Sequence, residues 1–298
     1  MKPALIFKQY TWLVNCLLQE GPLTFKEIGR LWVDQDVSDG QRLSRTTFNR
    51  HRDAILDMFG LIIDCNRSDD TYYISNPEAV QTNSLEHFAL SSLTVGNVMA
   101  SSLQVQDRII LEDVPSGEIY LSTVIRAIKL SRRLRLHYQR FDSPDLHLAV
   151  VDPYALKLFQ RRWYLLAYTG RHLATYSLDR VKQMQITDES FTLPKGFSAR
   201  DYYADYFGVW AQNDAHFEHI TLRAWGTAAC YLRTLPLHHS QREVAREADH
   251  SDFTLSLKPT PDFITALLAQ GTNIEVLTPA TLRQAVASRL LSTLKHYQ

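Results

Sequence analysis

The amino-acid sequence predicts an α+β protein of several domains. Three observations carry that prediction. Helical periodicity fills residues 1 to about 80 and closes on a pair of short strands; a period-two alternation rich in aromatic residues runs from 133 to about 192; and an ordered succession of strands and helices occupies 193 to 298. A chain of 298 residues is also long for one compact unit, because domains commonly run to roughly 100–150 residues. Two or three domains are therefore expected.

Composition sets the outer bounds. With 45% hydrophobic and 21% charged residues, the chain has the make-up of an ordinary soluble globular protein. It contains no apolar run near the roughly 20 residues a membrane span needs, and Met1-Lys2-Pro3 does not open a secretory signal. A cytoplasmic protein without a membrane partner is expected. Cys16, Cys65 and Cys230 are scattered, lack C-x-x-C spacing and read as reduced core thiols. The formal net charge is zero, so no global field advertises a nucleic-acid partner. Charge is nevertheless unevenly distributed along the chain.

In the first region, Leu5, Phe7, Tyr10, Leu13, Val14 and Leu17 recur at helical spacing and predict an amphipathic helix that ends before Gly21-Pro22. Thr24-Phe25-Lys26-Glu27 reads as a capping box for a second helix that turns Phe25, Ile28, Leu31 and Trp32 inward. After a polar connection from Asp34 to Gln41, Ser44 is a good N-cap for a third helix through about Phe59. Gly60 then leads into two strand-like runs, 61–65 and 71–75, around the turn formers Asn66 to Asp70. Three helices followed by such a hairpin predict a winged helix-turn-helix over residues 1–80.

Between Arg42 and Arg52 stand four arginines (42, 45, 50 and 52) and no acid. In a winged helix-turn-helix the N-terminal half of the third helix enters the major groove, where Thr, Asn and Arg reach base edges or phosphates. The candidate DNA contacts are Arg42, Arg45, Thr46, Thr47, Asn49 and Arg50, with Arg52 toward phosphate and Arg67 at the wing tip. Phe48 reads as core. A solvated helix surface, or a winged helix used only to bind protein, is the bland alternative.

Residues 81–132 carry apolar positions (Leu85, Phe88, Leu90, Leu93, Val95, Val98, Leu103) that suggest helices, and a further helix is expected from Gly117 to Arg133. Asp107, Glu112, Asp113 and Glu118 make an acidic patch between them. No chemical motif occurs here, and the segment reads as a helical linker, a lever or a dimer-forming bridge.

From 133 to 192 the sequence is strand-like and basic. Arg135 to Phe141 alternates as a strand and opens what reads as a small barrel. Arginines and lysines at 126, 129, 132, 133, 135 and 140 have no acid among them, and 157, 161, 162, 171, 180 and 182 add more against Asp179 alone. Such local excess in a neutral chain points to an anionic ligand. Arginine suits bidentate phosphate contacts, and interleaved tyrosines (138, 154, 164 and 176) suit base stacking. The competing reading is a solvated basic surface around an aromatic core. Within this region Trp163, Leu165 and Ala167 fall on one side of a strand, and Arg162, Tyr164, Leu166 and Tyr168 on the other.

Asp152-Pro153-Tyr154, Trp163-Tyr164-Leu165 and Leu178-Asp179-Arg180-Val181 follow one another in order within about thirty residues. On these motifs the chain resembles the WYL-domain transcriptional regulators of bacteria. The resemblance implies an Sm-like, SH3-type β-barrel that senses nucleic acid or a nucleotide-like effector. Matched by motif, the implied ligand-binding residues are Tyr138, Tyr154, Arg162, Tyr164, Arg171, Ser177 and Arg180, with Trp163 and Leu165 toward the core. Many members place an arginine directly before the L-D-R motif, where this chain has Ser177. Ligand identity is therefore open.

The last region reads β-α-β-β-α-β-α. Its parts are a strand at 219–223, a helix around 228–232, strands near 242–247 and 253–257, a helix at 262–270 ended by Gly271, a strand at 273–277 and a closing helix from 279 to 297. The resemblance implies a ferredoxin-like, WCX-type extension that packs in homodimers. His238 and His239 have no carboxylates or cysteines at ligand spacing and do not argue for a metal.

These readings converge on a regulator, not an enzyme, with no cofactor. It is expected to be a homodimer that binds a palindromic double-stranded DNA operator, more as repressor than activator. A nucleic-acid-derived effector would shift it between states of different operator affinity. The resemblance also carries an association with phage defence. An adaptor that senses ligand and contacts protein, and an accessory of a nucleic-acid-processing enzyme, are the alternatives. The few carboxylates of the basic region disfavour an enzyme.

Overall fold

The computed structural model describes residues 3–35, 37, 40–79, 116–211 and 215–298, with isolated positions 88, 91, 92, 95, 108 and 110. Most of the connecting segment, including the expected helices of 85–103 and the acids Asp107, Glu112 and Asp113, lies outside the described residues. The chain divides into two compact units, Met1–Glu112 and Asp113–Gln298. It is a mixed α/β structure with several antiparallel sheets.

The first unit begins with helix α1 (Pro3–Glu20), strand β1 (Leu23–Thr24) and helix α2 (Phe25–Asp34). The capping box forms as its sequence requires: Glu27 N–H donates to Thr24 Oγ1, and Thr24 N–H donates to the Glu27 carboxylate at 2.8 Å. Helix α3 (Arg45–Phe59) starts at Ser44, whose hydroxyl accepts from Thr47 N–H at 3.0 Å, and stops at Gly60 in the left-handed region. Strands β2 (Ile63–Asn66) and β3 (Thr71–Ile74) form the hairpin, and β1 adds a third strand beside β3. Two residues long, β1 lacks any alternation that sequence could register. Leu13, Val14, Leu17, Ile28, Trp32, Phe48, Ile55, Phe59 and Leu61 fill one core.

In the second unit a single 3₁₀ turn (Glu118–Tyr120) leads into helix α4 (Leu121–Lys129) and then strands β4 (Arg132–Gln139), β5 (Leu146–Phe159), β6 (Arg162–Tyr168), β7 (Leu173–Ser177) and β8 (Val181–Ser190). The sheet order is β7-β6-β5-β4-β8, antiparallel throughout. The first part of β5 pairs with β4 and the second with β6, and a bulge at Pro153–Ala155 marks the change. Between β7 and β8 lies a 3₁₀ turn, Leu178–Arg180. Leu134, Leu136, Tyr138, Val151, Leu165, Tyr176 and Leu178 form the core with Val124 and Ala127 of α4. The helix expected within the linker thus packs on the sheet, because its two fully buried residues are spaced three apart on one face.

Helix α5 (Ala199–Ala204) follows, then strand β9 (Glu218–Trp225), helix α6 (Thr227–Thr234), strands β10 (Arg242–Arg246) and β11 (His250–Leu257), helix α7 (Pro261–Leu268), strand β12 (Ile274–Thr278) and helix α8 (Ala280–Leu294). The sheet order is β10-β11-β9-β12. Ile220, Leu222, Leu255, Leu257, Phe263, Leu267 and Val276 form its core. The order of elements is the one the sequence predicts. Cysteine is a correction: Cys16 is buried and Cys65 half-buried, but Cys230 is exposed. On α6 it is Ala228, Ala229 and Leu232 that face inward, which leaves position 230 toward solvent. Among the described residues no helix is long and apolar enough to cross a membrane.

Candidate nucleic-acid interface and ligand cleft

Phe48, His51, Ile55 and Phe59 point one side of α3 into the core, so the opposite side of its first half carries Thr46, Asn49 and Arg50, all exposed. Arg42, in the approach to the helix, is exposed as well. Three other candidates, Thr47, Arg45 and Arg52, are engaged within the unit. Thr47 joins the cap through its amide and its hydroxyl. Arg45 lies 4.1 Å over the Phe25 ring and donates to Tyr72 Oη at 2.6 Å. Arg52 donates through Nε and Nη2 to the Ile63 carbonyl at 3.0 and 2.6 Å, which clamps the hairpin to the helix. Arg67 is exposed at the hairpin tip, in company with Asp69 and Asp70.

Behind this surface lies His51. Its side chain is buried, Nε2 contacts Gln9 Oε1 at 3.1 Å and Nδ1 has no partner. Burial, reinforced by the charge of Arg50, pushes its pKa down to about 4.

In the second unit the structure divides the implied ligand residues. Tyr138 and Arg171 line a cleft of about 640 Å³ together with Arg140, His147, His172 and Tyr176. Tyr164 and Arg180 line a neighbouring cleft of about 300 Å³ together with Tyr202, Val209 and Trp210. Both clefts share His172, Ala174 and Thr175. The Arg180 guanidinium lies 5.0 Å from the Tyr138 ring and 4.2 Å from that of Phe141. Burial raises the Tyr138 pKa, so its hydroxyl is neutral and accepts from Ser177 N–H at 3.3 Å.

Three implied residues lie in neither cleft. Arg162 pairs with Asp179 at 3.3 Å, and the buried Ser177 hydroxyl donates to the same carboxylate. Tyr154 is the bulged residue of β5, re-aimed out of the strand alternation. Its ring stacks 6.2 Å from Tyr168 and 6.0 Å from Phe191, with Phe197 edge-on at 5.0 Å.

The side of β6 opposite Trp163 and Leu165 is partly covered, as Leu166 is fully buried there. The covering chain is 203–211. Thr175 Oγ1 donates to Val209 O at 3.2 Å and stands 3.4 Å from Tyr203 Oη. Lys157 Nζ donates to Gly208 O and lies 3.9 Å from the centre of the Tyr203 ring. Burial pushes the Lys157 pKa down to about 8, against the opposing pull of Asp262, and pushes Tyr203 up to about 12. His238 belongs to the same framework: Nε2 contacts Ala204 O at 2.8 Å and Nδ1 contacts Ser240 Oγ at 2.7 Å. Among the described residues no cluster of His, Cys, Asp and Glu is placed to hold a metal ion.

Part of the basic charge is paired. Arg133 bonds Asp152 at 2.7 Å and Glu189 at 2.8 Å, and Arg140 bonds Asp142 at 2.6 Å. Sequence reasoning missed Arg140, His172 and Trp210 as cleft residues. Arg171-His172, at the β6-β7 turn, was the one available signal for the second of these.

The pattern of the WYL domain matches residues 119–186, and that of the WCX domain matches 216–294. The chain carries a WYL domain followed by a WCX domain. The WYL match takes in helix α4, in keeping with its place in the sheet core, and residues 187–215 lie between the two matches. No curated protein matches the sequence. Among solved structures, proteasome accessory factor B/C (PafBC) of Arthrobacter aurescens is similar at 19% identity and a TM-score of 0.37 over 97% of this chain. The match spans 46% of that protein, so the chain is about half its length. A CRISPR Cas-related protein is similar at 12% identity and a TM-score of 0.35, over 99% of this chain and 83% of its own.

Proposed function

We propose that the chain is a DNA-binding transcription regulator whose WYL domain senses a nucleic-acid or nucleotide-like effector. In this reading the first unit is a winged helix-turn-helix, the β4–β8 sheet an SH3-type barrel and the β9–β12 sheet a ferredoxin-like fold. The observation that carries the reading is the outward face of α3, where Thr46, Asn49 and Arg50 stand exposed on a helix whose other side is locked into the core, with Arg42 exposed in the approach to it. The presence of WYL and WCX domains supports a regulator.

The acid-flanked Arg67 makes the hairpin tip a weaker DNA contact than the helix. The protein acts as a homodimer on a palindromic operator, and the exposed Leu290, Leu291 and Leu294 of α8 offer an apolar surface for a second copy. The effector lies against Tyr138, Tyr164, Arg171 and Arg180. We read it as a repressor, with a phage-defence locus as its setting, and as non-enzymatic.

A mobility-shift titration with the DNA upstream of its own gene tests the DNA claim. Arg50→Ala is expected to weaken binding by about tenfold or more, since a good base contact contributes ~1–3 kcal/mol. Unchanged affinity in that variant contradicts the assignment of α3.

A further inference from the structure

Trp210 lies between the two matched domains, in a segment held by both. From the WYL side, Lys157 bonds Gly208 O and Thr175 bonds Val209 O. From the WCX side, Asp262 Oδ2 on α7 accepts from both Val209 N–H and Trp210 N–H at 2.8 Å. Phe207 adds ring contacts to Phe159 of β5 at 5.6 Å and to Phe263 of α7 at 5.7 Å. At Gly208, with φ +82°, an added Cβ would fall 2.4 Å from Asp262 Oδ2, so the close approach requires glycine. The backbone at Trp210 is thus fixed, yet the residue is 53% exposed and lines the 300 Å³ cleft with Tyr164 and Arg180.

A large ring on a pinned backbone, beside an arginine and a second aromatic, is the arrangement that stacks a base and holds its phosphate. The volume stands at the small end of ligand sites, roughly 300–1,000 Å³, which suits a single nucleotide of a strand. We propose that Trp210 is a ligand-binding residue of the WYL cleft, stacking on one base whose phosphate Arg180 holds, and that the 205–211 strap passes occupancy to α7 of the WCX domain. This rests on the cleft taking a nucleotide-like effector, and it adds a wall that neither domain match contains.

The test titrates the full-length protein with 5′-phosphorylated tetradeoxyadenylate by calorimetry, beside Trp210→Leu, Trp210→Phe and Arg180→Gln. Leucine keeps apolar bulk but has no aromatic face; it is expected to weaken binding about tenfold, while phenylalanine stays within about threefold of the parent. Hydrogen exchange at Val209, Trp210 and α7 is expected to slow on binding. If Arg180→Gln weakens binding and Trp210→Leu does not, the role of Trp210 is overturned and the effector reading stands. Loss on Trp210→Leu without slowed exchange at α7 overturns the relay. If the folded parent protein does not bind the probe, the effector reading and the inference fall together.

Discussion

Gly117 has φ +74°, and a Cβ placed there would come 2.5 Å from Leu178 and 2.6 Å from the backbone nitrogen of Asp179. The chain therefore enters the WYL domain across the L-D-R turn, and Ser116 O accepts from Trp163 N–H at 3.1 Å at the same place. Gly117→Ala is expected to destabilise the domain by about 2 kcal/mol or more, from positive φ and backbone overlap together. Urea unfolding checks this; a loss within about 0.5 kcal/mol, the range of an ordinary surface substitution, contradicts the close approach. His51 sets a pH dependence in the first unit. Its folded pKa of about 4 lies below the ordinary value of 6.5, so the unfolded chain takes up the proton first as pH falls. Stability is whole above pH 6.5, declines as pH drops toward 4 and then levels. The decline is on the order of 3 kcal/mol, because each tenfold difference in proton affinity between the folded and unfolded chain corresponds to about 1.4 kcal/mol. Denaturant titrations across this range, followed by the nearby Trp32, are expected to show that slope in the parent and a flatter one in His51→Gln.

At the scale of elements, turns and pairings separate what the sequence discloses from what it hides. Strands β5 and β6 meet at Gln160-Arg161, both with positive φ (45° and 64°), a two-residue turn that ordinarily demands Asn-Gly. Replacing the pair by Asn-Gly is expected to stabilise the protein by about 1 kcal/mol, read as a higher Tm. Without glycine or asparagine, this turn carried no turn signal, whereas the capping box at Thr24 and the N-cap at Ser44 announced α2 and α3 by residue type. The β9–α8 succession was legible for the same reason: periodicity, Gly271 and Pro279 are local. What stayed hidden is non-local. Asp152 neutralises Arg133 from the neighbouring strand, nineteen positions away in sequence, so a count of charge along the chain overstated the basic surface. The bulge that turned Tyr154 into an aromatic stack broke the period of two, and the cover that the 203–211 segment places over β6 depends on tertiary packing.

For the whole molecule, the proposed function has the first unit read DNA and the second sense the effector. An effector can shift operator binding only by the difference in its affinity for the two states of the protein. The two candidate surfaces differ in what salt does to them. Operator binding through several arginine contacts to phosphate weakens steeply with salt, whereas in the proposed effector site the single Arg180–phosphate contact carries the salt dependence and the stacking part does not. The most direct measurement is the apparent Kd for the upstream DNA, by mobility shift, with and without saturating short single-stranded oligonucleotide. The parent protein is expected to bind, the oligonucleotide to change its Kd several-fold, and Tyr164→Ala with Arg180→Ala to abolish the change while leaving DNA binding intact. An oligonucleotide effect of the same size in that double variant, or no binding of the upstream DNA at all, would contradict the proposed function.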